Sequence, residues 1–338
     1  MLSCGGENKI MRWQNTKVLV TGGGGFIGSH LVERLVELGA DVTAFVRYNS
    51  RNDPGLLEIL GDKRKEIRIV SGEIRELETV RKVTKDAEVI FHLAALVGIP
   101  YSYVHPNEVI EVNTIGTLNV LTAVKDLGVR KVVITSTSEV YGTAITIPIS
   151  EKHPKQPQSP YSASKIAADA IALSFYHAFE LPVAIVRPFN TFGPRQSDRA
   201  IIPTLIGQAL TKRVIEVGNT KPTRDFTFVT DTVEGFIKVA ESDSSVGEEI
   251  NLGSGREISV GDLAEKIAAL CGRDVQIVPS KERFRPAKSE VARLLGDASK
   301  AGKMLGWEPK KKFEEGLKLT IEWIKKNLDM YEPTSYQI

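Results

Sequence analysis

The sequence contains few of the residues that staple small domains or build metal centres. Only two cysteines, Cys4 and Cys271, occur among 338 residues. Two cysteines exclude a disulfide framework and a zinc site made from cysteines, and such sparse usage is typical of a reducing compartment. The five histidines show no metal-binding spacing. We therefore expect a cytoplasmic protein that holds no metal.

Long apolar runs and charge of one sign are also missing. The longest apolar stretch, residues 89–100, is interrupted by His92 and is too short to cross about 30 Å of hydrocarbon. The 44 basic and 42 acidic side chains are interspersed along the chain, which leaves no basic surface for a nucleic acid. We expect neither a membrane nor a nucleic acid as partner.

The first sixteen residues lie outside the patterns of secondary structure. They contain no apolar segment of the kind that a secretory signal carries. We expect residues 1–16 to form a disordered leader, and the folded part to begin at Lys17.

From Lys17 onward, short β-branched runs alternate with longer helical patterns. Strands are predicted at 17–21, 42–46, 67–70, 89–93, 132–135 and 183–186, and helices at 26–38, 76–84, 107–126 and 160–179. This alternation predicts a doubly wound α/β domain with a parallel sheet over 17–188. Beyond 188 the alternation stops and proline and glycine punctuate the chain. We predict a smaller mixed α/β lobe at 189–330, with roughly 225–250 returning to the first domain.

A glycine-rich turn lies between the first strand and the first helix. Its sequence is Thr21-Gly-Gly-Gly-Gly-Phe-Ile-Gly28. Gly22 allows the sharp turn, Gly25 lets a pyrophosphate approach the backbone, and Gly28 lets helix and strand pack closely. The strand–turn–helix context predicts a dinucleotide site.

The end of the second strand bears on the choice of dinucleotide. An acid there would bind the ribose 2′-hydroxyl of NAD, but the sequence has Arg47 and no acid. Arg47 can pair with a 2′-phosphate, so the sequence favours NADP. NAD stays possible if Arg47 is only a solvated side chain after a strand.

A tyrosine and a lysine stand four residues apart in Tyr161-Ser-Ala-Ser-Lys165, on one face of a predicted helix. A nearby ammonium stabilises a phenolate and lowers its pKa, which makes Tyr161 usable as a base. The pair follows Ser136-Thr137-Ser138-Glu139, which begins at the end of the fifth strand. Ligands of α/β sheets bind at that end.

These patterns together resemble the extended short-chain dehydrogenase/reductase family over residues 17–325. The resemblance rests on the three-residue glycine spacing, on His92-Leu-Ala-Ala95, on Asn113 and on the tyrosine–lysine pair. It implies a Rossmann fold in which Thr137 orients a substrate hydroxyl, Tyr161 removes its proton and Lys165 binds the nicotinamide ribose. The implied cofactor contacts are Gly22, Gly25, Phe26, Ile27, Gly28, Arg47, Glu73, Ile74, Leu93, Ala94, Ala95, Asn113, Tyr161, Lys165 and Pro188.

The run Thr137-Ser138-Glu139 resembles the nucleotide-sugar 4,6-dehydratases within this family. Once the sugar C4 hydroxyl is oxidised, a carboxylate beside C5 can remove the acidified hydrogen, water leaves from C6, and the stored hydride returns to C6. The resemblance makes Glu139 that base. Ser138 stands where dTDP-glucose dehydratases carry Asp, so the chain is more similar to the GDP-mannose type, and the acid that protonates the leaving water is open.

Two related activities stay open. Simple 4-epimerases need no carboxylate here and usually have small neutral residues at these positions, so Glu139 argues against them. UDP-glucuronate decarboxylases share the Thr-Ser-Glu run. At the tyrosine motif, however, they usually read Tyr-Asp-Glu-Gly-Lys, whereas this chain reads Tyr161-Ser-Ala-Ser-Lys165.

Residues of the second lobe resemble the substrate contacts of this branch. Guanidinium groups suit phosphate because a planar fork binds two oxygens at once. The implied substrate contacts are Tyr103 of the first domain and, from the second lobe, Asn190, Arg195, Arg224, Arg285 and Glu290. Segment 283–297 resembles that of UDP-N-acetylglucosamine 4,6-dehydratases of the configuration-retaining kind, found in legionaminic-acid-type pathways.

In the family, helices equivalent to 107–126 and 160–179 pair into a four-helix homodimer interface. The nucleotide base and the hexose are left open.

Overall fold

The structure is a computed structural model that describes residues 13–331. Its strands are β1 Lys17–Thr21, β2 Asp41–Arg47, β3 Ile67–Gly72, β4 Val89–His92, β5 Lys131–Thr135, β6 Val183–Pro188, β7 Asn190–Phe192, β8 Val214–Val217, β9 Thr223–Phe228, β10 Glu249–Leu252, β11 Glu257–Ser259 and β12 Gln276–Pro279. Seven of them form a parallel sheet in the order β10-β6-β5-β4-β1-β2-β3. This confirms the predicted doubly wound α/β fold, because the strand order reverses direction beside β1.

The helices are α1 Phe26–Glu37, α2 Leu77–Thr84, α3 Ile99–Val104, α4 Pro106–Ile110, α5 Gly116–Leu127, α6 Pro160–Phe179, α7 Ile201–Thr211, α8 Val229–Glu241, α9 Val260–Cys271, α10 Ser299–Leu305 and α11 Phe313–Lys326. The helix predicted at 160–179 has the same bounds as α6, because Ser159 closes a capping box and Pro160 occupies the first turn. The helix predicted at 107–126 contains a π-helical turn, Glu111–Ile115, between α4 and α5.

Alternate residues of the central strands face opposite layers of the core. Val18 and Val20 of β1 pack in a cluster with Leu31 of α1, and Leu19 packs in a second cluster with Leu121 of α5. Side chains alternate in direction along a strand, so a strand covered on both faces is apolar throughout.

The second lobe holds two small sheets, ordered β11-β9-β7 and β12-β8. The segment that follows β9 returns to the first domain, since β10 pairs with β6 as an edge strand and α8 packs against α1, β5 and β6. Residues 229–252 therefore pack on the seven-stranded sheet, and they overlap the stretch of roughly 225–250 that was predicted to return.

The predicted leader reaches too far into the chain. Trp13 is 5% exposed, its indole donates to Glu241 Oε1 at 2.7 Å, and its ring stacks on Phe91. Residues 13–16 thus belong to the fold, because Trp13 fills space beside the sheet that the strand pattern does not reveal. Residues 1–12 lie outside the described residues, as does Cys4. Over residues 13–331, no helix combines the length and the apolar character needed to cross a membrane.

Candidate active site

The glycine turn has the shape that a dinucleotide cradle requires. Gly22 has a φ of +71°, and a β-carbon on Gly28 would lie 2.2 Å from the Gly22 carbonyl oxygen. Gly25 is exposed at the start of α1, and no side chain caps that helix end. The first N–H groups of α1 therefore point at an open approach, as a pyrophosphate needs, and the residues present fit a dinucleotide.

The loop after β4 packs directly on this turn. Leu93 N donates to Thr21 O at 3.1 Å, and Ala94 N donates to Thr21 Oγ1 at 3.2 Å. A β-carbon on Gly22 would lie 2.8 Å from Ala94 N. The structure thus brings the predicted residues Leu93, Ala94 and Ala95 to the wall of the cradle.

A chain of neutral groups holds this half of the site. Thr117 Oγ1 donates to Asn113 O at 2.7 Å, so it accepts from His92 Nε2 at 3.1 Å, and His92 Nδ1 accepts from Thr21 Oγ1 at 2.7 Å. Burial lowers the pKa of His92 to about 3, and the Lys165 charge adds to that fall. His92 is therefore a neutral bridge between β1, β4 and α5.

Asn113 lies in the π-helical turn and joins the β4 loop to α6. Its Oδ1 accepts from Leu96 N at 2.7 Å, while its Nδ2 donates to Leu96 O at 3.0 Å and to Ser164 Oγ at 2.9 Å. Both amide hydrogens are used, so Asn113 supports the predicted cofactor wall rather than reaching beyond it. Ser164 lies between Tyr161 and Lys165, which links this bridge to the candidate catalytic pair.

Tyr161 and Lys165 lie on the buried face of α6. Tyr161 is 6% exposed and Lys165 is 3% exposed. The Lys165 ammonium donates to Thr135 O at the end of β5, at 2.5 Å. Burial lowers the pKa of Lys165 to about 8, and the Asp169 carboxylate opposes that fall.

The protonation of Tyr161 differs from the expectation. Burial raises the pKa of the phenol, the Thr137 hydroxyl opposes the rise, and Glu139 and Asp169 add to it. The expected lowering by Lys165 is wrong for the protein alone, because the ammonium turns to the Thr135 carbonyl and desolvation of a phenolate dominates.

Glu139 stands beside this pair with its carboxylate unbound. Its backbone N–H donates to Thr137 Oγ1 at 3.2 Å, which begins a short 3-10 turn, Ser138–Tyr141. Over residues 13–331, no hydrogen bond or ion pair reaches the Glu139 side chain, which is 9% exposed. Its charge acts on Tyr161 and on Arg224. The structure therefore brings Thr137, Glu139 and Tyr161 together.

Arg224, Arg285 and Glu290 meet on the second-lobe side of the cleft. Arg224 donates to Glu290 Oε1 at 3.3 Å and to Val291 O at 2.8 Å, and Arg285 Nη1 lies 3.9 Å from Glu290 Oε1. Burial lowers the pKa of Arg224, while Glu139 and Glu290 oppose the change. Charges from two segments thus converge opposite Glu139.

Two further predicted substrate contacts also lie near the cleft. Asn190 begins β7, and its Oδ1 is buried without a hydrogen-bond partner among the described residues. The Tyr103 hydroxyl lies 2.6 Å from Ser289 Oγ, which joins α3 to the segment that carries Arg285 and Glu290.

Comparison with known proteins agrees with this architecture. Residues 19–320 match the family described as GDP-mannose 4,6 dehydratase. Human dTDP-D-glucose 4,6-dehydratase is 32% identical over 334 residues, covering 92% of this chain and 90% of that protein. A UDP-N-acetyl-alpha-D-glucosaminuronate decarboxylase from Bacillus cytotoxicus is 35% identical, covering 91% and 98%. A dTDP-glucose 4,6-dehydratase structure from Streptomyces venezuelae with NAD bound superposes with a TM-score of 0.85 at 30% identity, covering 95% and 100%.

The chain belongs to the extended short-chain dehydrogenase/reductase family of nucleotide-sugar enzymes. Its relatives include dehydratases, decarboxylases and epimerases. Dehydratases of this family are lyases, so the family covers more than one class of reaction.

Three residues that the family resemblance implied as contacts have partners or packing within the protein. Arg195 Nη2 donates to Glu33 of α1 at 2.6 Å, while its buried Nε and Nη1 have no hydrogen-bond partner among the described residues, so its role as a substrate contact stays a prediction. Both carboxylate oxygens of Glu73 accept bonds from Arg75, which lower the pKa of Glu73. Ile74 is 6% exposed and packs in the core. Glu33 lies 162 positions from Arg195, so no local pattern indicates that pair, whereas Arg75 is only two positions from Glu73.

The remaining predicted cofactor residues lie at the start of α1 and at the ends of two strands, β2 and β6. Phe26 and Ile27 form the first turn of α1, and Pro188 is the buried end of β6. Arg47 ends β2 and is exposed, with no hydrogen bond or ion pair to the part of the chain that the structure describes. Among residues 13–331, no cluster of His, Cys, Asp or Glu is suited to a metal.

The sequence interpretation missed a polar group beneath the catalytic helix of this family member. Ser136 donates to Asp169 Oδ2 at 2.9 Å, and Arg187 donates to the same oxygen at 2.9 Å. A signal was present, since Asp169 is the one acidic residue in α6 and Arg187 interrupts an apolar strand. A charge inside an apolar pattern indicates a buried partner.

Proposed function

We propose that this family member is an NAD(P)-dependent nucleotide-sugar 4,6-dehydratase that acts on UDP-N-acetylglucosamine or a closely related nucleoside-diphosphate hexose. The observation that carries the proposal is the unbound carboxylate of Glu139 beside Tyr161 and Thr137. A carboxylate without partners in a cleft is placed to take a proton from carbon, which epimerisation does not require.

The first step removes two hydrogens from the sugar C4 carbinol. Thr137 orients the hydroxyl, and Tyr161 takes its proton. A nicotinamide held beside Tyr161 and Lys165 would supply the redox chemistry, which is hydride acceptance from C4 and hydride return to C6, so the overall reaction is redox-neutral. A phenolate at Tyr161 needs a cation to offset the burial that raises its pKa, and in this proposal the Lys165 ammonium leaves its bond to Thr135 O to supply that charge during the reaction.

The second step uses Glu139 as base. The C4 ketone acidifies the hydrogen on C5, and Glu139 takes that proton. The C6 hydroxyl leaves as water with the same proton, so one residue serves as base and then as acid. The proton held by Tyr161 since the first step balances the proton that C5 receives at the end.

The diphosphate and nucleoside lie against the second lobe in this proposal. Arg285 Nη1 is a buried donor without a hydrogen-bond partner among the described residues, and a diphosphate oxygen would accept from it. The buried Asn190 Oδ1 likewise has no partner there and would accept from a hydroxyl or N–H group of the ligand. Arg224 and Glu290 complete this side. The likeness of segment 283–297 to the UDP-N-acetylglucosamine enzymes supports that substrate.

We propose NADP as the preferred cofactor. The side chain of Arg47 is exposed at the end of β2 and carries no ion pair within residues 13–331. It is therefore available to a 2′-phosphate. The solved dehydratase relative contains NAD, so both dinucleotides belong in the assay.

The test is to incubate the protein with UDP-N-acetylglucosamine and record the nucleotide-sugar product by mass spectrometry. We expect a product lighter by one water. An isobaric product indicates epimerisation, and carbon dioxide release from UDP-glucuronate indicates decarboxylation; either result in place of water loss contradicts the proposal. Parallel reactions with GDP- and dTDP-hexoses identify the nucleotide.

We also propose a homodimer through α6 and the helix run 106–127. Ala163, Ile166 and Ala167 are only partly buried, and Ile110 and Ile115 are 39% and 41% exposed. Small and apolar side chains on neighbouring helices suit a four-helix interface. Sedimentation equilibrium should give twice the chain mass, and Ala167→Arg should yield the monomer.

A further inference from the structure

A pair of fully buried charges lies behind α6, the helix that carries Tyr161 and Lys165. The side chains of Asp169 on α6 and Arg187 on β6 are both 0% exposed. Arg187 Nε and Nη2 donate to Asp169 Oδ2 at 3.2 and 2.9 Å. Burying a charge is costly even when it is paired, so this placement is unlike that of the surface ion pairs.

The same carboxylate oxygen holds the turn that carries Thr137 and Glu139. Ser136 Oγ donates to Asp169 Oδ2 at 2.9 Å, and Ser136 directly precedes Thr137. The other oxygen, Oδ1, is buried and has no hydrogen-bond partner within residues 13–331. Asp169 therefore ties the β5 turn to the helix that carries Tyr161.

The outer part of the cluster balances its own charge. Arg187 Nη1 donates to the Tyr141 hydroxyl at 2.9 Å, Arg187 Nη2 contacts Glu249, and Lys155 pairs with Glu249 at 2.7 Å. Asp169 and Glu249 are thus matched by Arg187 and Lys155.

Asp169 also acts on Lys165, which is four residues before it on one face of α6. The groups that interact with Lys165 are neutral His92 from β4, the Thr135 carbonyl from β5 and Asp169 from α6. Among them Asp169 is the anion that opposes the effect of burial on the pKa of Lys165.

We propose that Asp169 is a positioning residue for the catalytic centre, which holds the Ser136–Thr137 turn against α6 and places its carboxylate one helical turn from the Lys165 ammonium. This inference rests on the proposed function only through the oxidation at C4. Dehydratases and epimerases share that step, so the inference does not depend on which of the two products forms.

Two variants separate the two roles of Asp169. One role is the tether, which is the hydrogen bond from Ser136 that holds the turn, and the other is the negative charge near Lys165. Ser136→Ala removes the hydrogen bond but keeps the carboxylate, and it should lower kcat about 10-fold with KM and the pH profile unchanged, since a small misplacement of a catalytic group costs rate. Asp169→Asn keeps the shape but removes the charge. Its high-pH limb of kcat should move to lower pH by about one unit. Lys155→Gln, at the edge of the same cluster, is the matched control and should do neither.

A substrate-free measurement keeps this test independent of the reaction. Because the pKa of Lys165 falls from 10.5 to about 8 on folding, the unfolded chain binds more protons between those values, and stability rises with pH there. In Asp169→Asn that rise should begin at lower pH in thermal unfolding.

An unchanged kcat in Ser136→Ala overturns the tether, and an Asp169→Asn protein whose pH limb and unfolding profile match the wild type overturns the charge. If Asp169→Asn does not fold, Ser136→Ala still decides the tether. A wild-type protein that yields an epimer refutes dehydration and leaves both comparisons intact.

Discussion

The two sides of the cleft are built from different chemistry. The dinucleotide side is held by backbone groups, hydroxyls, the neutral His92 and the Asn113 amide. The other side, and the layer beneath α6, are held by buried charges such as Arg187 and Arg224. Near neutral pH, a network of neutral groups holds side chains in place and carries no charge. A network of charged groups also shifts the pKa values of its neighbours.

The largest expected effect comes from breaking the charged side at its centre. Arg187→Met leaves Asp169 buried without its cation and should lower the free energy of unfolding by about 3–5 kcal/mol. Denaturant unfolding measures it. Lys155→Gln, at the partly exposed edge of the cluster, should cost less than about 1 kcal/mol. Equal losses in the two variants would contradict this account, because burial of the Asp169–Arg187 pair would then make no difference to the free energy of unfolding.

A substitution on the neutral side should lower the free energy of unfolding by less than Arg187→Met does. It should also change how that free energy depends on pH in acid. His92→Phe removes a partner from Thr21 and from Thr117, for a loss of about 1–3 kcal/mol near neutral pH. The pKa of His92 falls from 6.5 to about 3 on folding, so its contribution is complete above 6.5 and is lost as pH falls.

The unfolding free energy of His92→Phe should therefore depend less on pH between 6.5 and about 3 than that of the wild type. The exposed His177 provides a control, since His177→Gln should leave the wild-type acid response in place. An equally steep acid response in His92→Phe would contradict a neutral, buried imidazole.

Within the charged side, ligand binding should separate Arg285 from Arg195. Arg285→Met removes a donor that has no hydrogen-bond partner in residues 13–331, so KM for the nucleotide sugar should rise about 10-fold or more. Arg195→Met should raise KM less than Arg285→Met, because Nη2 of that guanidinium is already bonded to Glu33 of α1, although its Nε and Nη1 have no hydrogen-bond partner among the described residues. The reverse ranking in steady-state kinetics would restore Arg195 as a substrate contact.

The smallest effect concerns the exposed charge on the neutral side. Arg47→Ala should weaken NADP binding about 10-fold, the value of one charge-assisted hydrogen bond, and leave NAD binding unchanged. Titration calorimetry with both dinucleotides measures the two affinities. Equal losses for NADP and NAD would remove the proposed contact with the 2′-phosphate.

The same contrast explains what the sequence could predict. The strands, α6 and the glycine cradle follow from short-range patterns, such as strand periodicity, the Ser159 cap and the spacing from Gly22 to Gly28. The approach of Thr137, Glu139 and Tyr161 follows because strand ends meet at one edge of a parallel sheet.

Pairings between distant residues were beyond such patterns. The bond from Arg195 to Glu33 spans 162 positions, and nothing near either residue specifies the other. The seating of Trp13 on Phe91 and the raised pKa of Tyr161 likewise depend on packing around the completed sheet. Local patterns predicted which residues lie together at the candidate site, whereas the pKa shifts of Tyr161 and Lys165 follow from tertiary burial.

The central claim is that the Glu139 carboxylate takes a proton from the sugar carbon next to a transient ketone. Turnover of UDP-N-acetylglucosamine in heavy water tests it most directly, with the product analysed by mass spectrometry and proton NMR. The account predicts a dehydrated sugar that carries solvent deuterium at C5, and no dehydrated product from Glu139→Gln. Dehydration at the wild-type rate in Glu139→Gln, or a product that keeps its original C5 hydrogen, would contradict it.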